Sequence, residues 1–139
     1  MEGSERKISS GKIAVVTGGN RGIGFFICRG LAKKGIRVVL TSRDKKNGEE
    51  ALAKLHKESL DVHLLCLDMT DERSIHNFAE NLEKEFEGLD ILINNAAVSL
   101  DKGVRGLDAD VETIRRSMKA NVYGPLRLCQ ALIPIMRKR

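Results

Sequence analysis

The residues Thr17-Gly18-Gly19-Asn20-Arg21-Gly22-Ile23-Gly24 carry the clearest chemical signal in this sequence. They lie between an apolar run and a helical pattern. Glycines in that setting leave backbone N–H groups free and aim the positive end of a helix at an anion. Gly18 suits the tight turn, Gly22 the close approach of a pyrophosphate, and Gly24 the packing of helix against strand. A glycine-rich turn with no ligand is the plainer alternative, and the strand-then-helix context weighs against it. Some distance on, Arg43 and Asp44 stand side by side at the end of a second apolar run. A dinucleotide fold finds its ribose partner about 20 residues past the glycines. An acid there holds the two ribose hydroxyls of NADH, and a cation there pairs with the 2′-phosphate of NADPH. Arg21 would add a second guanidinium, so the pair favours NADPH. Alternatively, Arg43 and Asp44 cap the next helix and meet only water.

Other reactive side chains form no such grouping. Cys28, Cys66 and Cys129 are far apart among apolar neighbours and read as three reduced core thiols. His56, His63 and His76 show no metal-ligand spacing. The formal charge of +5 suits an anionic partner, but the 24 Lys and Arg are spread among 19 acids with no interleaved aromatics. That distribution argues against nucleic acid and leaves a phosphorylated cofactor. No apolar run is long enough to cross a bilayer, and the polar start MEGSERKISSGK lacks the apolar core of a signal peptide. The expectation is a soluble, cytoplasmic protein.

The elements that must position these groups can be traced in order. Lys12–Val16 reads as a buried strand. Ile23, Phe26, Ile27, Gly30 and Leu31 fall on one helical face. Val38–Thr41 is a second strand, and Lys45 to about Ser59 a mostly charged helix with Ala51, Leu52 and Leu55 inward. Val62–Leu67 is a third strand whose near-continuous apolar character predicts burial on both sides. Asp71 caps a helix with Ile75, Phe78, Ala79, Leu82 and Phe86 on one stripe. Leu89–Ile93 is a fourth strand. After a polar loop, residues 111–139 form one or two helices with Ile114, Met118, Val122, Leu126, Cys129 and Ile133 inward. Strands alternating with helices mean an α/β fold with a parallel sheet. The domain division is an arm over residues 1–11 and one nucleotide-binding domain over 12–139.

Four features in order extend this reading. The spacing T-G-x-x-x-G-x-G is one residue wider than the usual dinucleotide fingerprint and resembles that of the short-chain dehydrogenase/reductase family. Asp68, after the third strand, resembles the acid that holds the adenine ring in that family. Asn94-Asn95-Ala96-Ala97 resembles its N-N-A-G motif, and Asn121 its asparagine in the long fifth helix. The glycine turn with Thr41-Ser42-Arg43-Asp44 is similar to the carbonyl-reductase branch, including plant enzymes that reduce terpenoid or alkaloid ketones. The resemblance implies a Rossmann-type doubly wound parallel sheet, cut off after the fifth helix at about four strands, with the first strand central. It assigns cofactor contacts to Thr17, Gly18, Asn20, Arg21, Gly22, Ile23, Gly24, Arg43, Asp68, Met69, Asn95, Ala96 and Ala97. It also implies reduction of a small carbonyl compound to an alcohol with NADPH.

Departures from the family accompany the likeness. Its proton-donating chemistry uses a serine and a Tyr-x-x-x-Lys. Here the single tyrosine, Tyr123, is followed four residues later by Arg127. Arginine cannot replace that lysine, so Tyr123 is expected to pack rather than react. Asn121 is the only member of the family's catalytic set present. Ala97 replaces the last glycine of N-N-A-G and adds a methyl group on the ribose side. Ending at Arg139 is expected to leave the fourth strand as an open edge and one face of the fifth helix poorly covered. A catalytically inactive dinucleotide-binding or dimer-interaction fragment is the alternative function, and the oligomeric state stays open.

Overall fold

In the computed structural model, which describes residues 10–139, the β-branched run Ile13–Val16 forms strand β1 inside a parallel sheet. Strand β2 (Arg37–Ser42) lies on one side of it and β4 (Ile91–Ile93) on the other. Strand β3 (Val62–Cys66) pairs with the far side of β2, giving the order β3-β2-β1-β4. Helices α1 (Gly22–Lys33) and α2 (Lys45–His56) cover one face, where Cys28, Ala32, Ala51 and Leu55 meet Val16, Val38 and Leu40. Helices α3 (Glu72–Glu85) and α5 (Gly124–Met136) cover the other, with Phe78, Leu82, Leu128 and Leu132 against Val15, Val39 and Leu89. The alternation of strand and helix therefore yields the expected doubly wound α/β arrangement, with a core on each side of the sheet. Of the arm expected over residues 1–11, residues 1–9 lie outside the described residues. Among the described residues no helix is long and apolar enough to cross a membrane.

Several expected faces turn out rotated. On α1 the sheet side is Gly24, Cys28 and Ala32, whereas Ile23 and Phe26 are exposed. Small side chains at i, i+4 and i+8 let the helix axis approach the sheet, and that close approach outweighs the larger apolar stripe beside it. The final helical stretch behaves alike. It runs as α4 (Val111–Met118), a π-helical turn at Lys119–Tyr123, and α5. Ala120, Gly124, Leu128, Leu132 and Ile135 point inward, while Ile114, Met118, Val122, Leu126 and Ile133 are exposed. Tyr123, expected to pack, is 47% exposed.

Strand β3 is not buried on both sides, because it is an edge strand and helices cover it only in part; His63 and Cys66 are exposed. Of the three thiols expected in the core, only Cys28 is buried, Cys129 is half-buried and Cys66 is exposed. Burial pushes the Cys28 thiol up to about 12, so it is chemically inert.

A polar tie closes the end of the sheet opposite the glycine turn. The Ile13 amide donates to Asp90 Oδ2 at 2.8 Å, and Arg139 Nε donates to Asp90 Oδ1 at 3.2 Å. Arg139 also donates to the Gly11 carbonyl. The Ile13 bond outweighs the opposing effect of burial and, with Arg139 and Lys12, holds the Asp90 carboxyl below its ordinary value. A depressed carboxylate stabilises the fold above the unfolded-state pKa and loses that contribution as pH falls through the folded-state value. Asp90→Asn is therefore expected to destabilise the chain at neutral pH, with the difference from the parent shrinking as pH falls below the unfolded-state carboxyl value of about 3.9. Denaturant melts of both chains across that range measure it; a difference independent of pH refutes the assignment.

Candidate functional site

The C-terminal ends of all four strands open onto one cavity of about 510 Å³. In an open α/β sheet this is where ligands bind, at the point where the chain winds away on either side of the first strand. Eleven of the sequence-predicted residues line it, namely Gly18, Asn20, Arg21, Gly22, Ile23, Arg43, Asp68, Met69, Asn95, Ala96 and Ala97. Thr17, Gly24 and Asn121 do not. Each of those three holds a lining segment in place instead.

The glycine turn is built by close approach. Gly18 and Gly22 have φ of +62° and +56°, in the left-handed region that side chains disfavour. A Cβ on Gly24 would lie 2.3 Å from the Gly18 carbonyl oxygen and 2.5 Å from Asn95 Nδ2. The start of α1 therefore rests directly on the turn, as the spacing predicts. Helix α1 has no side-chain cap at Arg21 and no acid in its first turn, so its positive end is left for a ligand.

Thr17 is buried and joins two strand ends. Its Oγ1 accepts from the Asn95 and Ala96 amides, each at 3.0 Å. In return, Asn95 Nδ2 donates to the Thr17 carbonyl at 3.1 Å and the Gly18 carbonyl at 3.3 Å. A buried N–H left without a partner costs about 1–3 kcal/mol, so one hydroxyl holding two of them strongly couples the glycine turn to the segment after β4. Asn121 works similarly at the next loop. Its Oδ1 accepts from the Val98 amide and its Nδ2 donates to the Val98 carbonyl, both at 2.8 Å. The π-helical turn carries Asn121 toward that strand of backbone, and both ends of its amide are used there.

Arg43 and Asp44, adjacent in sequence, have different surroundings. Asp44 is the N-cap of α2, its Oδ1 accepting from the Asn47 amide at 2.9 Å. The Asp44 carbonyl also accepts from Ser42 Oγ at 2.7 Å. Arg43 lines the cavity, and among the described residues neither it nor Arg21 forms an ion pair. Across the cavity, Asp68 Oδ1 accepts from the Thr70 amide at 2.9 Å and the Thr70 hydroxyl at 2.7 Å. Burial alone would raise the Asp68 carboxyl, but Thr70, with Arg43 and Lys119 nearby, outweighs it and holds that group below the ordinary carboxylate value.

Thr41, Ser42, Asn47, Leu67, Thr70, Val98 and Ala120 also line the cavity, without having been expected there. Thr41 accepts from the Gly18 amide at 3.4 Å. Its place next to Arg43 at a strand end was a signal available in the sequence. Asn47 comes from α2, whose inward stripe was expected at Ala51, Leu52 and Leu55, and Ala120 from a helical stretch whose inward face was expected on other residues.

With this geometry in view, comparison with known proteins is informative. The family described as short chain dehydrogenase matches residues 12–139. The chain is 43% identical to (+)-neomenthol dehydrogenase from Arabidopsis thaliana, across 91% of this chain and 49% of that protein. It is 38% identical to carbonyl reductase (NADPH) 1 from Mus musculus, across 93% of this chain and 46% of that one. Among solved structures, L-sorbose reductase from Gluconobacter frateurii, complexed with NADPH and L-sorbose, superposes with a TM-score of 0.85. That comparison has 32% identity and covers 94% of this chain and 49% of the other. The chain spans about half the length of the curated relatives it matches.

Proposed function

The chain belongs to the short chain dehydrogenase family, and from that premise we propose that its cavity binds NADPH in preference to NADH and serves the reduction of a ketone or aldehyde to an alcohol. The observation that carries the choice of cofactor is the division of labour between Arg43 and Asp44. Asp44, the acid that would hold the ribose hydroxyls of NADH, is committed to capping α2. Asp44 borders the cavity as well, but Arg43 and Arg21 there form no ion pair among the described residues and are two cations suited to a phosphate. The carbonyl reductase and the L-sorbose reductase named above, both linked to NADPH by name or complex, support the same choice.

The lining fits the cofactor part by part. The turn from Gly18 to Gly22, at the open end of α1, suits the pyrophosphate. Asp68 and Met69 suit the adenine side, and Asn95, Ala96 and Ala97 the ribose nearer the nicotinamide. Thr17, Gly24 and Asn121 position these groups. Bound NADPH supplies the hydride. Reduction also needs a proton for the developing alkoxide, and these 139 residues contain no Tyr-x-x-x-Lys to give it. The three free thiols suit a reducing compartment, so the proposed site of action is the cytoplasm, on a small carbonyl substrate.

Thermal melts of the chain with each nucleotide test this reading. A ligand that favours the folded state raises the melting temperature by mass action. A saturable rise with NADPH, and a smaller one or none with NADH at equal concentration, is the expected result. A cooperative melt that neither nucleotide moves, or that NADH moves more, overturns the proposal.

A further inference from the structure

A second, smaller cavity of about 250 Å³ adjoins the first and shares Asn20, Arg21 and Asn47 with it. Its other walls are Glu50, Ala51 and Lys54. Asn47, Glu50, Ala51 and Lys54 are spaced i, i+3, i+4 and i+7 on α2, so one face of that helix is turned toward the glycine turn. The charged groups in this annexe are two cations, Arg21 and Lys54, and one acid, Glu50. Lys45 and Glu49, on the same helix, are paired with each other at 3.9 Å. Among the described residues Arg21, Glu50 and Lys54 enter no ion pair. The charged groups of the adjoining cavity are Arg43, Asp44 and Asp68; Asp44 is engaged as a cap and Asp68 by Thr70. Of these cations Arg21 lines both cavities, Arg43 only the larger and Lys54 only the smaller, where Glu50 is the one acid.

We propose that this annexe is a charge-selective extension of the nucleotide site, in which Lys54 is a specificity-determining residue for the cofactor's ribose phosphate and Glu50 opposes it. The inference rests on the reading that the larger cavity holds a phosphorylated dinucleotide. Lys54 lines the smaller cavity from the third turn of α2, beyond the strand-end position where a ribose partner is normally sought. It acts at long range through the field it adds at the phosphate, an effect that salt screens. Glu50, on the same helix face, subtracts from that field. The two residues therefore have opposite effects on NADPH and little effect on NADH, which has no phosphate there.

The test is to measure dissociation constants of NADPH and NADH for the parent chain, Lys54→Gln and Glu50→Gln, at about 20 mM and about 300 mM salt. Both side chains are exposed, and unchanged melting temperatures in the absence of nucleotide establish that folding is unaffected. At low salt Lys54→Gln is expected to weaken NADPH about threefold and Glu50→Gln to tighten it by a similar factor. NADH should respond to neither, and both effects should shrink at high salt. Equal changes for the two nucleotides, or no change for either, overturn the role of the annexe while leaving the larger cavity's assignment intact. If the parent chain binds neither nucleotide, the inference and the reading beneath it fail together.

Discussion

Gly24→Ala is expected to destabilise the chain by about 3 kcal/mol and to abolish the rise in melting temperature produced by NADPH. The added methyl group would sit 2.3 Å from the Gly18 carbonyl oxygen, a distance no real Cβ tolerates. The obstacle is backbone, so no flexible side chain can yield to relieve it. Helix α1 must move away from the turn, or the turn must open. Either shift strains Gly18, whose left-handed conformation leaves little freedom, and breaks the bonds from Asn95 to the Thr17 and Gly18 carbonyls. For a chain of this size the loss corresponds to a fall of roughly 10 °C in melting temperature. Gly30→Ala is the matched control. It lies in the same helix, is exposed, and has no atom within 4 Å of the new Cβ. It should leave stability unchanged or raise it by about 0.5–1 kcal/mol. Similar melts for the two variants would show that the contact between α1 and the turn carries little energy.

Arg43→Ala is expected to weaken NADPH binding by about 10- to 100-fold with little effect on NADH. A charge-assisted bond to phosphate accounts for a loss of that size, and NADH offers no phosphate to lose. The fold should survive, because the adjacent Asp44 keeps its bond from the Asn47 amide and α2 keeps its cap. Arg43 is exposed at the cavity, so the loss should shrink as salt is raised. Fluorescence titration of each nucleotide measures it. If both nucleotides weaken equally, Arg43 shapes the site without reading the phosphate, and the choice of NADPH loses its main support.

Two features of the structure concern the whole protein. The stripe Ile114, Met118, Val122 and Leu126, expected inward from its periodicity, is exposed, and β4 pairs with β1 alone among the described residues, the open edge that the resemblance implied. They lie in a chain that spans about half the length of its curated relatives.

The amino-acid sequence by itself determined everything that depends on contiguous residues. The glycine turn, the four strands and the cap at Asp71 each follow from a short stretch with its own local chemistry. The positions Asp68, Asn95 and Ala96, which line the cavity, and the central place of β1 in the sheet were implied by the resemblance to the family. What only the tertiary structure decided is which side of α1 and of the last helices faces the sheet, and that of Arg43 and Asp44, both at the cavity, the acid caps α2. On α1 and on the last helices, apolar residues occupy more than one stripe, so periodicity alone allowed either to be buried. Gly24-Cys28-Ala32 is the inward row of α1, where small residues let the helix approach the sheet, and on the last helix Gly124 lets the chain meet Met69 while Leu128 and Leu132 fill the core. Ala120 precedes that inward row by one turn and so reached the cavity unannounced. Thr17, counted in sequence among the cofactor contacts, is instead the buried hydroxyl that joins β1 to the segment after β4, a pairing 78 residues apart that no local pattern encodes. Arg43 and Asp44 were separated only by geometry, once the first free N–H groups of α2 had claimed the acid.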